Sequence, residues 1–141
     1  MSFDKELEIA FQREVVGNVD AFVRKIAARC HQAVTSATPV GNRELWQSPK
    51  SAPQGYTGGH ARRNWLVDVD VVNAVEKNGE DFAANEAAAQ AEIRTFSIAS
   101  NVQINLHNSA PYIGKLNDGS STQAPAGFVE RAVAAAGRTK P

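Results

Sequence analysis

A chain of 141 residues with 43% apolar and 21% charged side chains has the size and composition of one ordinary folded domain, too apolar for wholesale disorder. Fifteen basic and fifteen acidic residues cancel, which removes the broad attraction to phosphate that non-specific nucleic-acid binders use. Cys30 stands alone and can close no internal disulfide, no basic segment with an apolar run opens the chain as a secretion signal, and no apolar run is long enough to span a bilayer, so the expected setting is cytosolic.

From Phe3 to about Ser36, Leu7, Phe11, Val15, Val19, Phe22, Ile26, Cys30 and Ala33 recur three or four apart and predict one long amphipathic helix. At 1.5 Å per residue it would reach roughly 50 Å, further than a domain of this size needs. Such a helix is expected to pack on a neighbouring subunit. Gly17-Asn18 is a candidate break, with Asn18 capping the second half.

Residues 37 to 60 are rich in Pro, Gly, Ser and Gln, which forbids a helix or an interior strand and predicts a long loop. Within it Trp46 and Tyr56 are candidate anchors against a partner. The Gly58-Gly59-His60 run lacks the Lys-Ser or Lys-Thr of a phosphate loop and reads as a turn before a strand. Alternation from Trp65 to Val72 predicts a half-buried strand, with Trp65, Val67, Val69 and Val71 on one face and Asp68 and Asp70 on the other. Asn101 to His107 repeats the pattern, Val102, Ile104 and Leu106 opposing Gln103, Asn105 and His107. Between them an alanine-rich helix is expected over about Glu80 to Thr95, acidic in its first turn, with Phe82, Ala89 and Ile93 on one side. After Pro111 come a helical turn from Tyr112 to Leu116, a turn at Asp118-Gly119-Ser120, and a last helix from Gly127 to Ala136 with Phe128, Val129, Ala132 and Val133 inward. The predicted fold class is α+β, a long N-terminal helix packed on a small β-sheet with short additional helices, as one domain over residues 1–141.

No residue set reads as an active site. His31, His60 and His107 have no second ligand at metal-binding spacing, and adjacent Cys30 and His31 diverge by about 100° on a helix, too far apart to act as nucleophile and base. No catalytic residue, metal or cofactor is expected. Asp68 and Asp70 read as a solvated strand face. Arg62, Arg63 and Trp65 admit two readings: a stacking patch for single-stranded nucleic acid, or a subunit interface, where arginine and tryptophan are enriched. Zero net charge favours the interface; a small nucleic-acid-binding accessory protein is the alternative.

Two groups of residues resemble one known family. Thr38-Pro39-Val40 followed by Gly59-His60-Ala61-Arg62-Arg63-Asn64-Trp65 is similar to the Thr-Pro-Val-Asp-Thr-Gly-x-x-Arg-x-x-Trp stretch that follows the first helix in bacteriophage tail-completion proteins, the minor-tail and neck family. His107-Asn108-Ser109-Ala110-Pro111-Tyr112, Leu116-Asn117-Asp118-Gly119-Ser120-Ser121 and Gln123-Ala124-Pro125-Ala126-Gly127-Phe128-Val129 resemble its Asn-x-x-Pro-Tyr-Ala-x-x-Leu-Glu-x-Gly-x-Ser-x-Gln-Ala-Pro-x-Gly-Phe-Val signature. The chain departs from the pattern in an insertion over residues 41–57 and in Asn117, which stands where the family has glutamate.

The signature also has a physical reading. Asn108 can bond its own downstream backbone, Pro111 stiffens the strand exit, Tyr112 and Leu116 bury, Gly119 supplies a positive φ, and the residues before Pro125 run extended: a stiff ledge for a neighbour. The resemblance implies a structural virion protein, made in the host cytoplasm and placed in the neck or tail. It would join head to tail as a ring of itself, six copies before twelve, against neck, connector or tail-tube proteins, with DNA passing through unread. Candidate interface residues are Trp46, Tyr56, Arg62, Arg63, Trp65, Asn108, Pro111, Tyr112, Gly119 and Phe128, with no membrane involved.

Overall fold

The structure, a computed structural model, describes residues 2–41, 50, 58–77, 82–121 and 123–138. The expected long helix runs unbroken through three segments: α1 (Phe3–Phe11), a π-helical turn (Gln12–Val16) and α2 (Gly17–Ala37). At the π-turn the Gly17 N–H reaches back five residues to the Gln12 carbonyl. The predicted break at Gly17-Asn18 does not occur. A single glycine costs a helix about 1 kcal/mol without stopping it, and the Asn18 side chain caps nothing, donating instead to the Glu14 carbonyl one turn back. The helix ends at Thr38, extended ahead of Pro39, whose ring disfavours the helical conformation in the residue before it. The Thr38 hydroxyl closes the last turn on the Val34 carbonyl at 2.6 Å.

After a single turn of helix, α3 (His60–Arg63), strands β1 (Trp65–Val69) and β2 (Ile104–Asn108) form a two-stranded antiparallel sheet. Trp65 lies opposite Asn108, Val67 opposite Leu106 and Val69 opposite Ile104 on the inner face. On the outer face His107 and Asp68 meet at 2.7 Å. The expected strand to Val72 stops at Val69 because Asp70 takes a positive φ of 76°. Val71, expected on the buried row, is consequently exposed, and Asp70 leaves the face it was expected to share with Asp68.

Helix α4 (Phe82–Arg94) joins the strands, followed by a 3-10 turn (Ile98–Ser100). The acidic first turn expected at Glu80 lies outside the described residues. Ala89 and Ile93 pack with Val67, and Ala27, Ala28, Ile104 and Leu106 close around them, so α2 and α4 together back the sheet. Two strands alone are marginal in water, and this helical backing makes the sheet viable. Asp20 ties the far end of α2 to the 3-10 turn, accepting from the Ile98 N–H and the Ser97 hydroxyl, each at 2.8 Å.

The chain finishes with α5 (Ile113–Asn117) and α6 (Phe128–Gly137), the latter laid along α2. Two residues depart from expectation here: Tyr112 precedes α5 and stays 37% exposed rather than buried, and Val133 is exposed rather than inward. Of the eleven buried apolar residues among those described, five are alanines: Ala61, Ala89, Ala110, Ala124 and Ala136. Small side chains thus supply nearly half of the buried apolar residues described. No helix is long and apolar enough to cross a membrane among the described residues.

Candidate assembly site

The stretches that carry the family resemblance lie far apart in sequence and meet around the end of α2. Thr38 is at the centre: its hydroxyl accepts from the Trp65 indole N–H at 2.6 Å, and its carbonyl accepts from Arg62 Nε at 2.9 Å. From the later stretch, Gln123 Nε2 donates to the Val40 carbonyl at 2.9 Å and Asn108 Nδ2 to the Ala61 carbonyl at 2.8 Å. The Ser109 N–H reaches the Asn64 carbonyl, extending the strand pairing past its last residue. As expected for an Asn leaving a strand, Asn108 Oδ1 takes the Ala110 N–H at 2.9 Å.

The second half of the ledge is held by Asn117. Its Oδ1 accepts from the Val129 N–H at 3.0 Å, its Nδ2 donates to both oxygens of Glu130 at 2.8 Å, and its backbone carbonyl takes the Gly127 N–H at 2.7 Å. Asn117 thus satisfies a first-turn donor of α6, which Gly127 has no side chain to do. The Nδ2 donation from Asn117 is the main reason that the Glu130 carboxyl sits below the usual carboxylate range. Gly119 has φ +95°, and a Cβ there would come 3.2 Å from that of Ala126, so the turn has both the conformation and the close approach that require glycine.

The expected interface residues divide. Trp46 and Tyr56 lie outside the described residues, as does most of the 41–57 insertion. Trp65 and Phe128 are 6% and 4% exposed within the single chain; they belong to its own core and leave a neighbour almost nothing to touch. Arg62 is spent internally, with a second bond to the Ser36 carbonyl, and Arg62 and Arg63 both stand 5.7 Å from the centre of the Phe82 ring. The glycine run before them leads into α3 rather than directly into a strand, with Gly58 and Gly59 both at positive φ. Pro111, Tyr112 and Gly119 remain at the surface and Asn108 half-buried.

Two features remain outside that set of candidate residues, the first without a mark in the sequence and the second with one. Asn64 is fully buried and clamps the 71–77 segment, donating to the His60 and Lys77 carbonyls and accepting from the Lys77 N–H at 2.7 Å. The other is the N-terminal arm: α1 and the π-turn bury no residue, leaving Phe3, Leu7, Phe11 and Val15 at 74, 58, 51 and 46% exposure. The spacing of four that joins these residues was the available signal.

The cleft between α2, α3 and α4, lined by His31, Thr35, Arg62, Phe82 and Asn85, encloses about 60 Å³, against roughly 300–1,000 Å³ for small-molecule sites. No group of three or more His, Cys, Asp or Glu is placed to hold a metal among the described residues. Burial pushes the Cys30 thiol up and the His31 imidazole down, which keeps both neutral. His31 Nε2 lies 3.0 Å from the Trp65 carbonyl and, as the neutral tautomer protonated there, donates to it. Comparison with protein-family models, curated proteins and solved structures finds no match to this chain.

Proposed function

We propose that this protein is a structural component of a tailed bacteriophage virion, acting in tail completion or head-to-tail joining at the neck by assembling into a ring. The observation that carries the reading is the meeting, around the end of α2, of the separate stretches that resemble the tail-completion family. Thr38 bonds Arg62 and Trp65, Ala61 bonds Asn108 and Val40 bonds Gln123, as they would if that pattern encoded a single structural element. Support also comes from the alanine-rich core and the bare apolar arm, which fit a subunit that completes its burial against neighbours. Its partners are copies of itself, six in preference to twelve, and the neck, connector or tail-tube proteins above and below, with DNA passing through the lumen.

Imaging of intact virions with antibody or density assignment at the neck tests the reading. A closed ring of this chain between head and tail is the expected result. Absence of the protein from purified virions, or a chain that stays monomeric at every concentration, overturns it. A DNA mobility shift that weakens steeply with salt would instead favour the nucleic-acid-binding class.

A further inference from the structure

The arm and the π-turn belong to one device. In an α-helix a spacing of four overshoots the turn by about 40° per step, so a row from Phe3 to Val19 would drift by about 160°. The π-turn inserts one extra residue, which takes back about 100°. Phe3 and Phe22, about 100° apart on an unbroken α-helix, are thereby brought into line. Phe22, Ile26, Cys30 and Ala33 form the half-buried row of α2 next to the face that backs the sheet, and α6 is packed along α2. The bare row on α1 therefore continues the half-buried row of α2, the helix along which the chain lays its own α6.

That row exposes on the order of 400 Å² of apolar surface, given about 200 Å² for each phenylalanine before its partial burial. An interface of standard size takes about 800 Å² per partner and is a little over half apolar, so the arm alone offers the apolar share of one. Asp4 and Glu8 flank the row on one side and Glu6 and Glu14 on the other, while Lys5 and Arg13 lie behind it. Two arms paired face to face would set carboxylates against carboxylates. The outer face of α6 is the complement: Ala134 and Gly137 are small and exposed, a Cβ added at Gly137 would meet nothing within 4 Å, and Arg131, Arg138 and Val133 border them, while Glu130, the one acid on this face, is held through both oxygens by Asn117 of its own chain.

We propose that Phe3, Leu7, Phe11 and Val15 seat a second copy of this chain, which lays the outer face of its α6 across the arm. The contact deepens the assembly reading above and rests on it. It joins unlike surfaces, so every copy uses both, and repetition gives a head-to-tail series that closes into a ring if the rotation per step allows.

Two variants in the full-length chain test this by sedimentation velocity and melting. Leu7→Asp/Phe11→Asp disables the arm and Ala134→Glu/Arg138→Glu the α6 face, and all four residues are exposed, so each variant should melt with the parent's monomer. Each alone should raise the concentration for assembly at least about 30-fold, the effect of losing one hot-spot anchor. Mixed in equal amounts, they should form a one-to-one complex that grows no further, because one intact arm meets one intact α6 face.

An arm variant that assembles like the parent overturns this contact and leaves the ring reading standing. Two monomeric variants that fail to complement assign the arm another occupant and overturn the choice of α6. A variant whose monomer melts early places that face in the chain's own core, with the same consequence. A parent that never assembles removes the ring reading and this contact together.

Discussion

The Trp65 indole nitrogen donates to the Thr38 hydroxyl at 2.6 Å, joining the first residue of β1 to the residue that ends α2, with both residues buried. Thr38 passes its own proton to the Val34 carbonyl, so one hydroxyl serves the helix end and the strand start together. Thr38→Val keeps the shape and strands a buried indole N–H, at a cost of about 1–3 kcal/mol. Thr38→Ser, which keeps the oxygen, should lose less than half as much. Urea unfolding at constant m-value checks both.

Stability should fall in two stages on acidification. His31 is held below its ordinary value, mainly by burial, which outweighs the opposing pull of the Trp65 carbonyl and Glu86. The unfolded chain therefore protonates first, and stability present at neutral pH is lost as the pH falls below about 6.5 toward the lower folded value. Asp20 and Glu130 are lowered too, Asp20 chiefly by the Ile98 N–H. Their contribution is present above the ordinary carboxylate range and disappears as the pH falls through their folded values. His31→Gln should remove the first stage and leave the second, in urea midpoints measured from about pH 8 to pH 3.

The ledge should respond to conformation more than to its aromatic residue. Gly119→Val places a branched side chain at φ +95° with Ala126 in the way and should cost about 1–3 kcal/mol. Tyr112 is 37% exposed with its ring tilted 6.1 Å from that of His60, so Tyr112→Ala should cost less than the roughly 3–5 kcal/mol of a fully buried aromatic. Thermal melts that rank Tyr112→Ala above Gly119→Val would contradict this order.

Changes of helix length in the π-turn should be asymmetric. Deleting Gln12 lets the turn relax to α-helix while keeping Phe3 in line with Phe22, so assembly should survive. Adding one alanine after Gln12 rotates the arm by about 100° unless a second π-turn forms, and assembly should be lost while the monomer melts unchanged. Equal behaviour of the two variants would show that the phase of the arm does not matter.

The long helix, both strands and the two later helices were legible because their apolar residues recur at the period of the element they form. What escaped was decided by single backbone conformations or by partners distant in sequence. Val71 fits the strand alternation perfectly well, yet Asp70 turns left-handed before it. Phe3 to Val19 count as helical by spacing alone, although a row of exact fours drifts off one face unless the helix is locally overfilled. In the site, Asn108 and Gly119 announced their turns, since short-range geometry determines both. Asn64 reads in sequence as a surface or turn residue, and only the meeting of α3 with the 71–77 segment makes it a buried clamp. Trp65 was legible both on the inner row of its strand and as an interface candidate, because a large aromatic beside two arginines fits an interface as well as a core until Thr38 is seen beneath it.

Gly58 presses so closely on the Gly41 carbonyl that a Cβ would come within 2.6 Å of it. Gly41 and Gly58, on either side of residues 42–57, therefore meet at one point of the body. Closing a longer excursion costs only about 0.6 kcal/mol for each doubling of length. Two glycines that meet in this way mark a graft point: a change in the length of the sequence between them should leave the melting of the body nearly unchanged.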